Sequence, residues 1–533
     1  MTPHNGAGET LRMRVAVVGS ALSLLIACAS TPPAPPPPPA AKTRPTPTSP
    51  PLPIAKAPSI ATATSESPRA HPPTLIRGAK VMTAAGHTYD DGFVLLEGGK
   101  IVATGSGPGT APAGGVVFDA RGKVVTPGLI DTHSHMGVYP TPGTEGGADG
   151  NEAGSPRTPD VWSEHGFWPQ DASLPRALQK GITTIQVLPG SANLIGGRST
   201  VFKLGLVGDA RASSARALRF PGAKQGLKMA CGQNPKRVYG KAGRPSTRMG
   251  NIAMQRQAFQ DAIDYERRWA RYARDLEDFK GRKEKGATDV RDDGRPADPP
   301  DPPPRDLALE TLAGVLKGDI LVHNHCYRAD EMHLMLDVAA EFGFKIRSFH
   351  HAVEAYKLAD RLATEDVSVS TWVDWWGFKM ESLDGVRGNI AILEAAGARP
   401  IVHSDSETEI RQLNQEAGKA LAAGRALGLH IDENEALRWI TANPAWALDV
   451  DAVTGTIEPG KMADVVIWSG DPFSVYSKPE QVFVDGVLVV DGGRTMRDTD
   501  ADLSIAPLRP PPPSPRAELL KPSTPSPAAP EVR

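Results

Sequence analysis

The sequence predicts an α/β fold, large enough for one eight-stranded barrel with an appendage, or for two to three ordinary domains. Three observations predict it. The chain has 533 residues with 40% hydrophobic content, enough for a sizeable core. From residue 127 to 450, short apolar β runs alternate with helical patterns. Residues 74–126 and 451–493 add β-rich segments on either side of that region. The formal charge of −2 gives no electrostatic case for a nucleic-acid partner.

The N-terminal end reads as an export signal. Arg12 and Arg14 supply positive charge, and residues 15–26 an apolar run too short for a comfortable membrane span. Leu25-Ile26-Ala27-Cys28 resembles a bacterial lipobox, so residues 1–28 are expected to be a lipoprotein signal peptide with Cys28 as the lipidated residue. Ala29 follows, not Asp, which points to the outer membrane and its periplasmic face; an ordinary cleaved signal is the alternative. Membrane contact is then expected only through the lipid. Residues 29–73, rich in Pro, Ala, Ser and Thr, form a semi-rigid spacer. Cys231 and Cys326 can in principle pair but imply no disulfide framework, and Cys326 reads as a small buried filler at a strand end.

Residues 75–82 form one β run, and 92–97 lead through Gly98-Gly99 into 100–103 as a hairpin. The stretch Pro127-Gly128-Leu129-Ile130-Asp131-Thr132-His133-Ser134-His135 comes next. Val124, Val125, Leu129 and Ile130 read as a buried strand. Side chains at i and i+2 of a strand share a face, so His133 and His135 can hold one metal ion from one side.

Residues 136–171 are a long Gly- and Pro-rich loop, 174–180 a helix and 181–188 a second strand. The glycines of 189–197 allow either close approach to a ligand or a tight turn. Residues 201–204 and 226–232 read as the third and fourth strands. A charged helix over 251–285 carries an apolar stripe of Tyr265, Trp269, Tyr272, Leu276 and Phe279. With the Pro/Asp-rich loop 286–305 it makes an insertion that serves as lid, wall or dimer contact.

Residues 319–325 are strand five, with His323 and His325 facing inward. In strand six, 344–351, alternation turns His350 away from His351. Strand seven, 367–372, ends at Trp372, which lines a pocket or packs beneath it; strand eight is 398–405. Helices over 407–427 and 433–446 follow, and 494–533 form a Pro-rich tail.

These features together resemble the amidohydrolase superfamily, and its imidazolonepropionase-like and prolidase-like members in particular, from about residue 74 to 493. The resemblance rests on 127–135, on His325-Cys326-Tyr327-Arg328-Ala329-Asp330, on His351 with Ala352-Val353-Glu354, on Asp405 and on Ile440-Thr441-Ala442-Asn443-Pro444-Ala445. It implies a TIM-like (β/α)8 metallo-barrel over 127–450, interrupted by the insertion 251–306. A small β-sandwich built from both chain ends, 74–126 and 451–493, is implied beside it.

The resemblance implies metal ligands His133, His135, Lys228, His325, His351 and Asp405, with His323 supporting rather than ligating. They would hold one or two Zn2+ or other divalent ions, with a carboxylated Lys228 as bridge. Gln233 stands where related sequences carry Glu, which removes one carboxylate. Asp405 and His351 are the implied catalytic residues; Tyr327 and Arg328 are candidate substrate contacts, the Arg328 guanidinium either gripping a substrate carboxylate or making a plain salt bridge. The expected reaction is hydrolysis of a C–N bond in an amide, cyclic amide or dipeptide-like small molecule by metal-activated water. A deaminase on the same site and an inactive surface binding protein are the alternatives, and homo-oligomerisation stays open.

Overall fold

The computed structural model describes residues 71–207, 213–285, 298–375 and 377–495. The leader with Cys28, nearly all of the spacer, Trp376 and the tail beyond 495 lie outside them. Among the described residues no helix is long and apolar enough to cross a membrane.

The chain opens with β1 (Thr74–Met82), β2 (Thr88–Glu97), β3 (Lys100–Ser106), β4 (Val116–Asp119) and β5 (Val124–Pro127). It closes with β14 (Val465–Trp468), β15 (Pro479–Val484), β16 (Val487–Asp491) and β17 (Arg494–Thr495). These nine join in one sheet, ordered β17-β16-β15-β14-β5-β1-β2-β3 with β4 beside β1. The two ends of the chain meet where β14 runs antiparallel to β5, pairing Val466 with Thr126. Ile76, Val81, Leu96, Val125, Ile467 and Phe483 form its buried core.

Between them a second sheet holds β6 (Leu129–Ser134), β7 (Ile182–Val187), β8 (Ile195–Lys203), β9 (Gly226–Ala230), β10 (Leu321–Cys326), β11 (Ile346–His351), β12 (Ser368–Thr371) and β13 (Arg399–Val402). Their order in the sheet is their order in the chain. The seam between β13 and β6 is nearly closed. Near the mouth the Asp405 N–H donates to His133 O (3.0 Å). Lower down, Trp439 O and Ile440 O accept from Val402 and Ile130 and fill the gap.

One strand departs from the all-parallel barrel expected from the sequence. β8 runs antiparallel to both β7 and β9. Only residues 188–194 separate it from β7, and a parallel return needs a crossover of a dozen residues or more. β8 is also longer than the expected 201–204, because Ile195–Gly197, read as loop, already belong to it. At its far end buried Lys203 sits between Asp464 (3.1 Å) and Asp485 and ties the barrel to the nine-stranded sheet.

The long helix spans Arg248–Glu284, with the Thr247 hydroxyl accepting from Gly250 N–H at its start. Its buried face is Asn251, Gln255, Ala258, Phe259, Ala262 and Tyr265, all in the first half. Phe259 stacks on Phe344 at 4.2 Å. Of the expected stripe only Tyr265 is fully buried. A 37-residue helix is about 55 Å long at 1.5 Å per residue and outruns the barrel wall it packs on. Its first turns brace the end of β9: Asn251 donates to Gly232 O and Gln255 to Ala230 O.

Candidate active site

Strands β6, β9, β10 and β11 end on one face of the barrel sheet, together with the segment after β13. There the sequence-distant groups converge. Asp405 Oδ1 lies 3.3 Å from His133 Nε2 and 3.2 Å from His135 Nε2, and Asp405 Oδ2 lies 4.0 Å from His351 Nδ1. Lys228 Nζ is 3.2 Å from His133 Nε2. His325 adjoins the cluster through His351, their rings 4.4 Å apart. Donor atoms of His133, His135 and Asp405 all lie within 4.8 Å of one another, as do those of His133, His351 and His403.

The backbone is bent to make this convergence. Asp405 has φ +60° and His351 φ +70°, a region that costs a residue other than glycine roughly 1–3 kcal/mol. For His351 the turn breaks strand alternation. His350, expected to face away, also points inward, with its Nδ1 2.8 Å from His133 Nδ1 and its Nε2 2.9 Å from His323 Nδ1. His323 therefore sits beneath the cluster, in contact with a supporting ring.

Asp131, the acid of the Asp-x-His-x-His run, is fully buried at the seam. Its carboxylate accepts from His133 N–H (3.0 Å), Ser404 N–H (3.3 Å) and the Ser404 hydroxyl. One side chain thus sets the backbone of both His133 and the turn that carries Asp405. Asp131→Ala strands three buried donors and is expected to lower stability by about 2–4 kcal/mol. Urea unfolding measures it, and the idea fails if the midpoint does not move.

Burial keeps the imidazoles neutral. It pushes His133, His325 and His351 far below the usual histidine range, and His403 down to about 3. It also drives the Lys228 ammonium down to about 8. His135 Nδ1 donates to Leu188 O (2.8 Å), so Nε2 is the nitrogen turned toward Asp405. Buried His325 Nδ1, His351 Nδ1 and both nitrogens of His403 have no hydrogen-bond partner. Neutral imidazoles with unsatisfied lone pairs beside a carboxylate form a donor set suited to a divalent cation such as zinc.

His403 escaped the reading of the sequence, although it stands two residues before Asp405. The i, i+2 spacing that singled out His133 and His135 applies to it equally. Its ring stacks on His133 at 4.9 Å.

Tyr327 lies against the cluster, stacked on His351 at 5.3 Å, with Lys379 Nζ 3.9 Å above its ring. Trp372 packs on His351 at 4.4 Å, and Trp375, half-exposed, stacks on it at 5.4 Å. Arg328 instead gives its guanidinium to Asp330 in a two-pronged pair at the surface. Cys231 and Cys326, at the ends of β9 and β10, are joined in a disulfide with Cα atoms 5.3 Å apart. Cys326 is fully buried at its strand end as expected, and the neighbouring parallel strands bring it within reach of Cys231, the pairing the sequence left open.

A nearly closed eight-stranded sheet thus gathers histidines and an aspartate at its strand ends, in groups that could hold a metal ion. The amidohydrolase family profile matches residues 124–490, and the chain belongs to that family. It is 32% identical over 469 residues to the amidohydrolase tasK of Hapsidospora irregularis, a match covering 83% of this chain and 46% of that protein. The chain thus spans about half the length of that relative. A shorter stretch of 54 residues is 44% identical to an imidazolonepropionase of Alkaliphilus metalliredigens (strain QYMF), 9% of this chain and 13% of that one. Among solved structures, an amidohydrolase from Thermotoga maritima MSB8 aligns with a TM-score of 0.66 at 32% identity, over 78% of this chain and all of that chain.

Proposed function

We propose that the protein is a metal-dependent hydrolase of a C–N bond in a small amide, cyclic amide or dipeptide-like substrate. The observation that carries this reading is the Asp405 carboxylate, a quarter exposed, 3.3 Å from His133 Nε2 and 3.2 Å from His135 Nε2. His133, His135 and Asp405 would hold one cation, and His325 and His351 a second, with carboxylated Lys228 between them. A bound zinc ion would supply Lewis-acid polarisation and a water acidified to a pKa near ~7. Asp405 faces the mouth, so it takes the proton from the attacking water and returns it to the leaving nitrogen. His351 and Tyr327 wall the substrate side, and Trp372 keeps solvent from beneath it. Arg328 would reach a substrate carboxylate only by releasing Asp330.

The leader adds a location to the proposal. Lipidation at Cys28, supported by the 25–28 run and the Pro-rich spacer behind it, would hold the enzyme on the periplasmic face of the outer membrane.

Stripping metal with a chelator is expected to abolish hydrolysis of an amide and dipeptide panel, and zinc to restore it. Amine, acid and ammonia release are followed separately, which distinguishes a deaminase. Full activity in thoroughly stripped protein sinks the proposal.

A further inference from the structure

The barrel interior holds two histidines that the proposed chemistry does not use. His350 and His323 are fully buried and continue a line that begins at His133. His133 Nδ1 meets His350 Nδ1 at 2.8 Å, and His350 Nε2 meets His323 Nδ1 at 2.9 Å. From these contacts we infer that His350 and His323 are positioning residues that fix the tautomer of His133 and present its Nε2 lone pair to the metal. The inference rests on His133 as a ligand and goes beyond that reading.

Each imidazole–imidazole contact holds one proton, and neutral rings carry one N–H each. When His133 ligates a cation its Nε2 must be bare, since that lone pair makes the bond. Its proton is therefore on Nδ1 and is given to His350 Nδ1. His350 then carries its proton on Nε2 and gives it to His323 Nδ1. His323 is left with its own proton on Nε2, so a single orientation runs through all three rings. Metal-ligating histidines generally need such an acceptor behind them, which orients the ring and raises its basicity. Here imidazole takes the place that a carboxylate or a backbone carbonyl usually fills.

The far end of the line is marked as well. His323 Nε2 has no partner, and neither do Gln186 Oε1 and Thr184 Oγ1. Gly226 lies between these strands, and a Cβ there would stand 2.7 Å from His323 Cδ2 and 2.9 Å from Gln186 Nε2. Ser199 Oγ would be closer still, at 2.4 Å, so only glycine fits beside the end of the line.

The test uses the full-length, zinc-loaded protein with 15N-labelled histidine. Long-range proton–nitrogen spectra are expected to show His350 and His323 as neutral Nε2–H tautomers. Zinc affinity, read by competition with a chromogenic chelator, should fall roughly 10- to 100-fold in His350→Phe. His350→Asn, whose amide oxygen stands in for Nδ1, should stay within about threefold of wild type, and His350→Gln should not. An Nδ1–H tautomer at His350, or undiminished affinity in His350→Phe beside a zinc-binding wild type, overturns the relay. Failure of the wild type to bind zinc overturns the metal-centre reading instead. Should His350→Phe not fold, the wild-type spectra still decide.

Discussion

Asp405→Asn is expected to lower turnover by roughly 100- to 10,000-fold, the range that a positioned proton shuttle contributes. The fold should survive. Asparagine tolerates the left-handed backbone that Asp405 adopts at φ +60°, and the N–H that closes the seam on His133 O is kept. What goes is the anion between His133 Nε2 and His135 Nε2, together with the base that exchanges a proton with water. His133→Ala should cost as much by a different route, with bound zinc falling along with rate. Turnover and metal content measured side by side separate the two. Retention of more than about a tenth of the activity in Asp405→Asn would remove this residue from the mechanism.

Lys228→Ala should be nearly as damaging. Lys228 is fully buried, and burial lowers its pKa to about 8, so the free amine is far easier to reach near neutrality than in an exposed lysine. Free amine is the form that carbon dioxide carboxylates, and the carbamate supplies an anion in place of a cation beside the metal. Formate or acetate added to Lys228→Ala is expected to restore part of the activity by occupying the vacated space. No rescue by any small carboxylate, with zinc still bound, would count against the bridge. The metal-free protein gives a second reading. The folded pKa lies below the unfolded 10.5, so the unfolded chain binds more protons between about pH 8 and 10.5. Wild-type stability should therefore rise across that window relative to Lys228→Met.

The strand ends were legible because two simple rules act there. Period-2 alternation placed His133 with His135, and the apolar runs around 130, 185, 322, 346 and 369 are strands in the structure. Where the backbone leaves the regular strand, the reading failed. His350 lies inside by alternation with Ser348, and His351 joins it only because it adopts φ +70°, a turn that no local pattern in His350-His351 announces. The reversal of β8 was legible in principle, since seven residues cannot hold a crossover helix, but the glycines of 189–197 masked where the strand begins. The buried extent of the long helix depended on how far the barrel wall reaches, which periodicity alone does not encode. Cys231 and Cys326 lie 95 positions apart, and only strand order brings them together.

The reversed third strand also sorts the chain into segments that can change length and segments that cannot. Its entry hairpin, 188–194, opens at the rim of the candidate site, where Leu188 O holds His135 and Ser191 accepts from Asn234. Its exit, beginning at Leu204, leaves from the opposite rim. An insertion spliced into the exit would hang below the barrel and leave selectivity untouched, whereas one spliced into the hairpin would reshape the mouth. Evolution or a protein engineer wishing to append a module without disturbing catalysis has a ready attachment point there.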